Sequence, residues 1–213
     1  KRNESRFIML NNAINASAYT YNPAKRAQMR QQLGLTAEFT VGHVGRFNPQ
    51  KNHPFLLDIF AYLLKQLPNA ILLLVGDGED MPKIQAKAQS LGIADHVRFL
   101  GVRSDVADLL QAMDVFIFPS LYEGLPVTMV EAQASGLPCL ISDKVPKECI
   151  LTEGLVEVVS LHTSPEEWAE KALAVRILPR IDWSDVIAAC GFDINTEVVK
   201  LQEFYINAYE QNR

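Results

Sequence analysis

From Phe39 onward, short apolar segments alternate with longer segments of helical periodicity. The short segments are rich in β-branched and aliphatic residues, and we predict them as strands: FTVGHVG (39–45), AILLLVG (70–76), HVRFLG (96–101), VFIFPS (115–120), PCLIS (138–142) and LVEVVSL (155–161). Most are apolar at successive positions, which is typical of strands covered on both faces. The alternation predicts βαβ units and a parallel sheet.

The four segments between these strands have helical spacing with Gly or Pro near their ends. They are NHPFLLDIFAYLLKQLP (52–68), DMPKIQAKAQSLGI (80–93), DVADLLQAM (105–113) and PVTMVEAQASGLP (126–138). Further helices are predicted at NPAKRAQMRQQLGL (22–35), SPEEWAEKALAV (164–175), DWSDVIAACG (182–191) and NTEVVKLQEFYINAY (195–209). The chain is therefore predicted to be an α/β protein, with a Rossmann-like, doubly wound parallel sheet of about six strands and a helical C-terminal tail.

Composition narrows the classes of function. The 213 residues include 20 Lys and Arg and 25 Asp and Glu, a net charge of −5, with both signs mixed along the chain. No nucleic-acid partner is expected, because no basic stretch is present to follow a phosphate backbone. The three cysteines form no CxxC pair, so we predict neither a metal site nor a disulfide framework and favour a reducing, cytoplasmic setting. The longest apolar runs are far shorter than the roughly 20 residues that cross a bilayer.

The loop GHVGRFNPQKNHP (42–54) follows the first strand and precedes a helix. In open parallel sheets, ligands bind outside the carboxyl ends of the strands, so this loop is a candidate site. Gly45 lets the backbone approach a ligand, and Arg46 and Lys51 suit a phosphate or diphosphate at a helix start. The alternative is that both cations are solvated surface charges. The loop matches neither GxGxxG nor GxxxxGK[ST], which disfavours a dinucleotide dehydrogenase and a P-loop NTPase.

The loop VGDGEDMPK (75–83) contains Gly76 and Gly78 but only half of a glycine-rich fingerprint. We predict a tight turn that leads into the next helix rather than a phosphate contact. Gly76 would also let another group approach the edge of the sheet closely.

The segment FPSLYEGLPVTMVEAQASGLP (118–138) carries two acidic residues eight positions apart in otherwise apolar surroundings. Glu123 is expected at the end of a strand and Glu131 within a helix that begins near Pro126. Their carboxylates can lie on the order of 10 Å apart along the helix, too far for a pair that flanks one retained glycosidic bond. That spacing suits two parts of one extended ligand, with helix N–H groups facing an anionic middle. The alternative for Glu131 is a bond to a neighbouring loop.

Taken together, these segments resemble the C-terminal, nucleotide-sugar-binding half of a GT-B glycosyltransferase of the large retaining family 4. The resemblance rests on GHVGRFNPQK (42–51), on the run from HVRFLG to ASGLP (96–138), and on their order and separation. It covers residues 39–160 most strongly. Within the family, the chain resembles bacterial enzymes of capsular or exopolysaccharide synthesis.

The resemblance implies a role for each charged residue. Arg46 and Lys51 would hold the donor diphosphate and neutralise the charge that grows on it as the glycosidic bond breaks. Glu123 would bind hydroxyls of the transferred sugar, and Glu131 would bind the ribose hydroxyls. Arg46, Lys51 and Glu123 are thus the candidate catalytic residues.

The resemblance also implies donor contacts from residues at the strand ends and the start of the helix. These are Gly45, Val102, Gly124, Leu125, Val127 and Thr128. Pro126 stands where many relatives have glycine, and it removes one N–H from the expected phosphate contacts. The family needs neither a bound metal nor a cofactor, and the nucleotide sugar is its donor substrate.

We predict three parts of a longer protein, because the chain opens with KRNESRFIML rather than Met or a signal peptide. Residues 1–20 would be a connector from a missing N-terminal acceptor domain. Residues 21–180 would bind the nucleotide sugar, and residues 181–213 would form helices that return toward the missing domain. The expected reaction transfers a hexose, with a UDP-sugar taken as donor, to a growing polysaccharide or lipid-linked saccharide. This part alone is expected to bind donor but to transfer poorly, and the full protein could associate peripherally with the inner face of the plasma membrane.

Two other interpretations stay open, and a third is set aside. A nucleotide-sugar epimerase of GT-B architecture would bind the same donor and release a new isomer. A flavodoxin- or receiver-like binding module would have no enzymatic role, although a receiver needs acidic residues where this chain has Gly45 and Arg46. A histidine metal or general-base site is disfavoured, because the spacing of the four histidines matches no ligand pattern.

Overall fold

The computed structural model describes residues 7–36, 38–175 and 178–211. Within these ranges, six strands form one parallel sheet in the order β3-β2-β1-β4-β5-β6. They are β1 (Thr40–Val44), β2 (Ile71–Val75), β3 (Val97–Phe99), β4 (Val115–Phe118), β5 (Cys139–Ser142) and β6 (Val156–Val159). Each predicted strand is confirmed, and the order is that of a doubly wound Rossmann-like sheet.

The helices of the described ranges also follow the prediction, with one addition. They are α1 (Ala16–Tyr19), α2 (Pro23–Gln32), α3 (His53–Gln66), α4 (Met81–Ser90), α5 (Val106–Ala112), α6 (Val127–Ala134), α7 (Pro165–Val175), α8 (Ser184–Ala189) and α9 (Ile194–Gln211). The addition is α1, a single turn whose four residues are too few to show helical periodicity. None of the helices in these ranges is both long enough and apolar enough to cross a membrane.

The sheet is covered on both faces, as its apolar strands predict. Along β2, Leu72 and Leu74 belong to one buried cluster, whereas Leu73 and Val75 belong to the cluster on the opposite face. Because successive side chains of a strand point to opposite faces, a run of apolar residues supplies both clusters at once. The first cluster includes the fully buried Trp168 of α7, which lies against α3.

The order of the strands places the candidate loops side by side. β1 lies between β2 and β4, with Val41 opposite Val115 and Gly42 opposite Phe116. The connections from β1 and β4 therefore leave neighbouring strands at the point where the strand order reverses. In this class of sheet, the crevice at that point is the usual ligand site.

The first and last parts of the described chain are joined to each other, and the last part is also joined to α5 and α6. The N–H of Ile14 donates to the carbonyl of Phe192 at 2.9 Å, and the N–H of Ile194 donates to the carbonyl of Ile14 at 2.8 Å. Arg180 donates to the carbonyls of Leu110 and Ser135, near the carboxyl ends of α5 and α6. These contacts hold the residues before α2 and after α7 against the α/β domain. The division at residues 20 and 180 stays a prediction.

We expect Gly76→Ala to destabilise the fold far more than a glycine substitution at an open turn. A Cβ on Gly76 would lie 2.1 Å from the carbonyl oxygen of Gly45, and its φ of +133° is disfavoured for an L-residue. The loss in the free energy of unfolding should exceed about 3 kcal/mol, because a steric clash adds to a backbone cost of about 1–2 kcal/mol. Denaturant unfolding followed by circular dichroism measures it.

The matched control is Gly92→Ala. Gly92 also has a positive φ, +70°, but a Cβ there meets nothing within 4 Å. This variant should lose only the backbone cost, about 1 kcal/mol. Equal losses at the two positions would contradict a close packing of the loop after β2 on the loop after β1.

Candidate functional site

Three connections meet at the carboxyl edge of the sheet and are bonded to one another through their backbones. The N–H of Gly45 donates to Val75 and the N–H of Phe47 donates to Asp77, both at 2.9 Å. On the other side, the N–H of Leu121 donates to the carbonyl of Gln50 at 2.8 Å. The loop after β1 is therefore fixed to the loops after β2 and β4 on either side.

The sequence of the loop after β1 explains how Lys51 is directed into the site. The side chain of Asn48 accepts from the N–H of Lys51 and caps a short 3-10 turn over Pro49–Lys51. Asn52 then adopts a left-handed conformation, with φ of 54°, before α3 begins at His53. Asn is one of the few residues that takes this conformation at low cost. Its side chain donates to the carbonyl of Pro119 at 3.1 Å, which ties this turn to the loop after β4.

Lys51 and Glu123, which are 72 positions apart, form a buried ion pair at the centre of the edge. The ammonium nitrogen lies 2.7 Å from Glu123 Oε1, and the side chains are only 14% and 5% exposed. Gln50 donates to Glu123 Oε2 at 3.0 Å, so both carboxylate oxygens accept a hydrogen bond. The ammonium also lies 4.6 Å from the centre of the Phe118 ring. Two of the predicted catalytic residues are thus in direct contact.

Arg46 lies in the same loop with its side chain exposed. Gly45 beside it has a packing reason to be glycine, since a Cβ would lie 3.0 Å from His43 Nε2 and 3.2 Å from Lys51 Cε. Its N–H is already donated to Val75. What approaches Gly76 closely is the carbonyl of Gly45, so the glycines of the second loop serve contact between loops.

The remaining predicted contacts lie around the start of α6 and the end of β3. Gly124 is exposed, while Leu125, Val127 and Thr128 are half-buried. Pro126 is the N-cap residue, so α6 begins one residue later than the sequence indicated. The first N–H groups of any helix lack helical acceptors, and those of α6 begin at Val127.

Val102 is 80% exposed and follows β3, with Gly101 before it accepting from the N–H of Gly76 at 2.8 Å. The chain therefore brings Val102 to the loop after β2, at the same carboxyl edge as the other candidate residues. Its side chain has no share in the buried clusters.

Glu131 is bonded to a residue of the segment before α2. The Tyr19 hydroxyl donates to Glu131 Oε1 at 2.7 Å. Burial raises the pKa of Glu131 above its ordinary value, and the bond from Tyr19 acts in the opposite direction. Among the ion pairs of residues 7–36, 38–175 and 178–211, none includes Glu131. A bond to a neighbouring segment was the alternative that the sequence left open, and the structure contains such a bond.

A pair of buried histidines lies beneath the loop after β1, and sequence reasoning did not single it out. His43 Nδ1 donates to the carbonyl of Ile117 at 2.9 Å, and the centres of the His43 and His53 rings are 4.7 Å apart. Burial lowers the pKa of His43 well below its ordinary value and lowers the pKa of His53 to about 4, with Lys51 acting in the same direction. Both rings are therefore neutral near neutral pH.

The histidines do not form a metal centre with other side chains. Across the described part of the chain, no group of three or more His, Cys, Asp or Glu residues is placed to hold a metal ion. The sequence signal for the buried pair was weak, because a His inside a strand and a His at a helix start are ordinary. The connection between β1 and α3 brings the rings of His43 and His53 together.

Comparison with known proteins shows which family this chain resembles. The family model described as Glycosyl transferases group 1 matches residues 25–176. EpsF of Bacillus subtilis (strain 168), whose name classes it as a glycosyltransferase, is 36% identical over 204 residues, or 94% of this chain and 53% of EpsF. The UDP-Gal:alpha-D-GlcNAc-diphosphoundecaprenol alpha-1,3-galactosyltransferase of Escherichia coli is 36% identical over 123 residues, 56% of this chain and 32% of that enzyme.

Among solved structures, Anabaena Alr3699/HepE in complex with UDP and glucose has a TM-score of 0.77 at 24% identity. The similarity covers 91% of this chain and 55% of that one. The likeness is one of fold, and it corresponds to the C-terminal half of a GT-B architecture. The chain spans about half the length of these relatives, with 53% of EpsF and 55% of the Anabaena protein covered.

We expect His53 to make the stability of the fold depend on pH. The pKa of His53 is about 4 in the folded chain, so the unfolded chain binds a proton at higher pH than the folded chain does. The stability that the neutral His53 contributes is therefore fully present above the ordinary pKa of about 6.5. This contribution is lost as the pH falls toward 4. His53→Phe should remove on the order of 2 kcal/mol of the change in unfolding free energy between about pH 7 and about pH 5.

Denaturant unfolding at several pH values measures the slope of the unfolding free energy against pH. Phe keeps a ring against Phe47, whose centre lies 4.2 Å from that of His53, and removes the two unpartnered ring nitrogens. His162→Gln at an exposed position is the control and should leave the slope unchanged. A slope as steep in His53→Phe as in the unsubstituted chain would show that His53 is not responsible. The pKa of His43 is depressed as well, so His43 also lowers stability as the pH falls. Part of the slope should therefore remain in His53→Phe.

Proposed function

The chain belongs to the family described as Glycosyl transferases group 1, and on that premise we propose that it is the donor half of a retaining glycosyltransferase. It binds a nucleotide diphosphate sugar, with UDP as the nucleotide, and supplies a hexose to a growing polysaccharide or lipid-linked saccharide. The names of two similar proteins support the choice of UDP: one is a UDP-Gal galactosyltransferase, and the other is a structure with UDP and glucose. The acceptor would bind a further part of a longer protein.

The observation that carries this proposal is the buried Lys51 and Glu123 pair at the strand-order reversal, with exposed Arg46 in the same loop. Lys51 supplies a cation and Glu123 supplies a carboxylate in the same place. The carboxylate is also bonded to Gln50. The start of α6 lies at the end of the loop that carries Glu123 and adds N–H donors for an anion.

When a donor binds, Lys51 would exchange Glu123 for a phosphate of the donor. A diphosphate beside Arg46 competes with Glu123 for the Lys51 ammonium, because phosphate oxygens are strong charge-assisted acceptors. Lys51 and Arg46 then oppose the negative charge that builds up on the leaving diphosphate, an effect often worth several kcal/mol. Glu123, released from Lys51 but still bonded to Gln50, can accept from hydroxyls of the transferred sugar.

Glu131 would bind the ribose, and Val102 would lie beside the base. Glu131 offers the acceptor capacity that a pair of vicinal hydroxyls requires, because a carboxylate has two oxygens and about four lone-pair sites. Contacts from Gly45, Gly124, Leu125, Val127 and Thr128 remain part of this proposal. Pro126 contributes no N–H, so phosphate contacts through the backbone would begin at Val127.

The neutral histidines are not proposed as acid–base groups. His43 and His53 are buried beneath the loop and have depressed pKa values, so neither is an imidazolium acid near neutral pH. Positive charge in the proposed reaction comes from Arg46 and Lys51 instead. Peripheral association of the longer protein with the plasma membrane, where a lipid-linked acceptor resides, is part of the same proposal.

We expect calorimetric titration of the chain with UDP, GDP and ADP to show binding of one nucleotide that depends on these charges. Arg46→Ala, and Arg46→Ala combined with Lys51→Ala, should weaken binding about 10-fold and more than 100-fold, respectively. Glu131→Ala should weaken it about 10-fold through the loss of the ribose contact. Circular dichroism must show that each variant remains folded.

Lys65→Ala is the matched control, because Lys65 is an exposed cation near the far end of α3. It removes the same charge from the chain and should leave binding unchanged. Since Lys51→Ala leaves Glu123 buried without its cation, the single Arg46→Ala variant keeps the test valid if the double variant unfolds. Binding that none of these site variants weakens would refute the proposed site.

Nucleotide binding is expected to be independent of divalent metal, because Arg46 and Lys51 supply the positive charge. Titration in excess EDTA and titration in millimolar Mg²⁺ should give dissociation constants that agree within about threefold, or 0.6 kcal/mol. A loss of affinity of tenfold or more in EDTA would mean that a bound cation takes the role assigned to these side chains. The same comparison on Arg46→Ala shows whether Mg²⁺ can replace the missing charge.

A further inference from the structure

We infer that Tyr19 is a positioning residue of the proposed nucleotide site, acting through Glu131. The inference rests on the proposed function, in which Glu131 binds ribose, and adds a residue from outside the matched family region. That region begins at residue 25, whereas Tyr19 ends α1 in the segment before it. The bond from Tyr19 to Glu131 joins residues that are 112 positions apart.

The Tyr19 hydroxyl is the side-chain partner that the structure gives to Glu131. It donates to Oε1 at 2.7 Å, and the carboxylate forms no ion pair within the described ranges. Glu131 is half-buried, and within the described ranges the structure gives its Oε2 no hydrogen-bond partner and does not enclose it fully. One oxygen of the carboxylate is thus held by the protein, while the other is open.

This arrangement suits a carboxylate that must bind a vicinal diol. Each carboxylate oxygen can accept two hydrogen bonds, so Oε1 can keep the bond from Tyr19 and still accept from one ribose hydroxyl. Oε2 is left for the other hydroxyl. A free glutamate side chain loses up to about 2 kcal/mol of rotamer freedom when it is fixed, and Tyr19 fixes it before the ligand arrives.

Tyr19 can do this because its own backbone is held in place. Its carbonyl accepts from Gln111 Nε2 at 3.0 Å, and Gln111 Oε1 accepts from the N–H of Asn22 at 3.0 Å. Gln111 is buried in α5, so one amide side chain holds both ends of the short link between α1 and α2. The ring of Tyr19 also packs against two of the buried clusters.

The chain offers a matched control in the same link. Tyr21 lies two residues further on, and its ring centre is 4.4 Å from the guanidinium carbon of Arg180. Tyr21→Phe removes a phenolic hydroxyl from the same segment and keeps this ring contact. Tyr19→Phe removes the hydroxyl that bonds to Glu131 and keeps the ring that packs on the clusters.

The test compares Tyr19→Phe with Tyr21→Phe by calorimetric titration. The probes are the diphosphate that binds most tightly among UDP, GDP and ADP, and its 2′-deoxy counterpart. We expect Tyr19→Phe to weaken binding of the ribonucleotide three- to tenfold and binding of the deoxynucleotide less, so that discrimination between them falls. Tyr21→Phe should change neither affinity. Thermal unfolding verifies that both variants fold.

A double-mutant cycle with Glu131→Ala tests whether Tyr19 acts through this carboxylate. In the Glu131→Ala background, Tyr19→Phe should cause no further loss of affinity. An equal loss for both nucleotides would indicate a merely structural role and overturn the inference, as would a full additional loss in the Glu131→Ala background. Binding that Glu131→Ala weakens and Tyr19→Phe leaves unchanged would overturn the role of Tyr19 alone. Absence of binding by all three diphosphates would overturn the proposed function, and the inference with it.

Discussion

The ion pair between Lys51 and Glu123 is the interaction on which the carboxyl edge of the sheet depends. Each partner comes from a different connection, and each is nearly excluded from solvent. A largely buried charge without its counterion is costly, so the pair holds the two loops together. The backbone bond from Leu121 to Gln50 and the side-chain bond from Asn52 to Pro119 strengthen the same junction. One electrostatic requirement therefore fixes the relative position of the connections from β1 and β4.

The buried histidines fill the space beneath this junction without adding charge to it. A charged imidazolium beneath Lys51 would repel its ammonium. The depressed pKa values of His43 and His53 keep both rings neutral near neutral pH. His43 also bonds to the carbonyl of Ile117 and so connects β1 to β4 below the loops. The rings of His43, Phe116 and Phe118 stack on one another in this layer. The carboxyl edge of the sheet therefore lies on a buried layer of neutral side chains.

The sequence predicted the sheet well because its signal is local. Six apolar runs with turn residues between them determine the strands, and burial on both faces follows from their composition. The contacts of the site are not local in this sense. Lys51 meets Glu123 across 72 positions and Tyr19 meets Glu131 across 112, and no spacing rule encodes either pair. The turn at α1 was also missed, since four residues make about one helical turn and show no repeat of the pattern. What the sequence could indicate was the set of residues at the carboxyl edge, not their partners.

Arg180 gives α6 an unequal electrostatic character at its two ends. Its guanidinium donates to the carbonyl of Ser135 through Nε at 3.1 Å and through Nη2 at 2.6 Å, so a full positive charge sits at the carboxyl end of the helix. The partial negative charge that every helix carries there is thereby cancelled. At the amino end, roughly 12 Å away, Pro126 places no side-chain cap on the first N–H groups, and the partial positive charge is left uncompensated. The amino end of α6 therefore keeps a partial positive charge that its carboxyl end no longer balances. Arg180 thus changes the charge balance between the two ends of α6 without contacting its amino end.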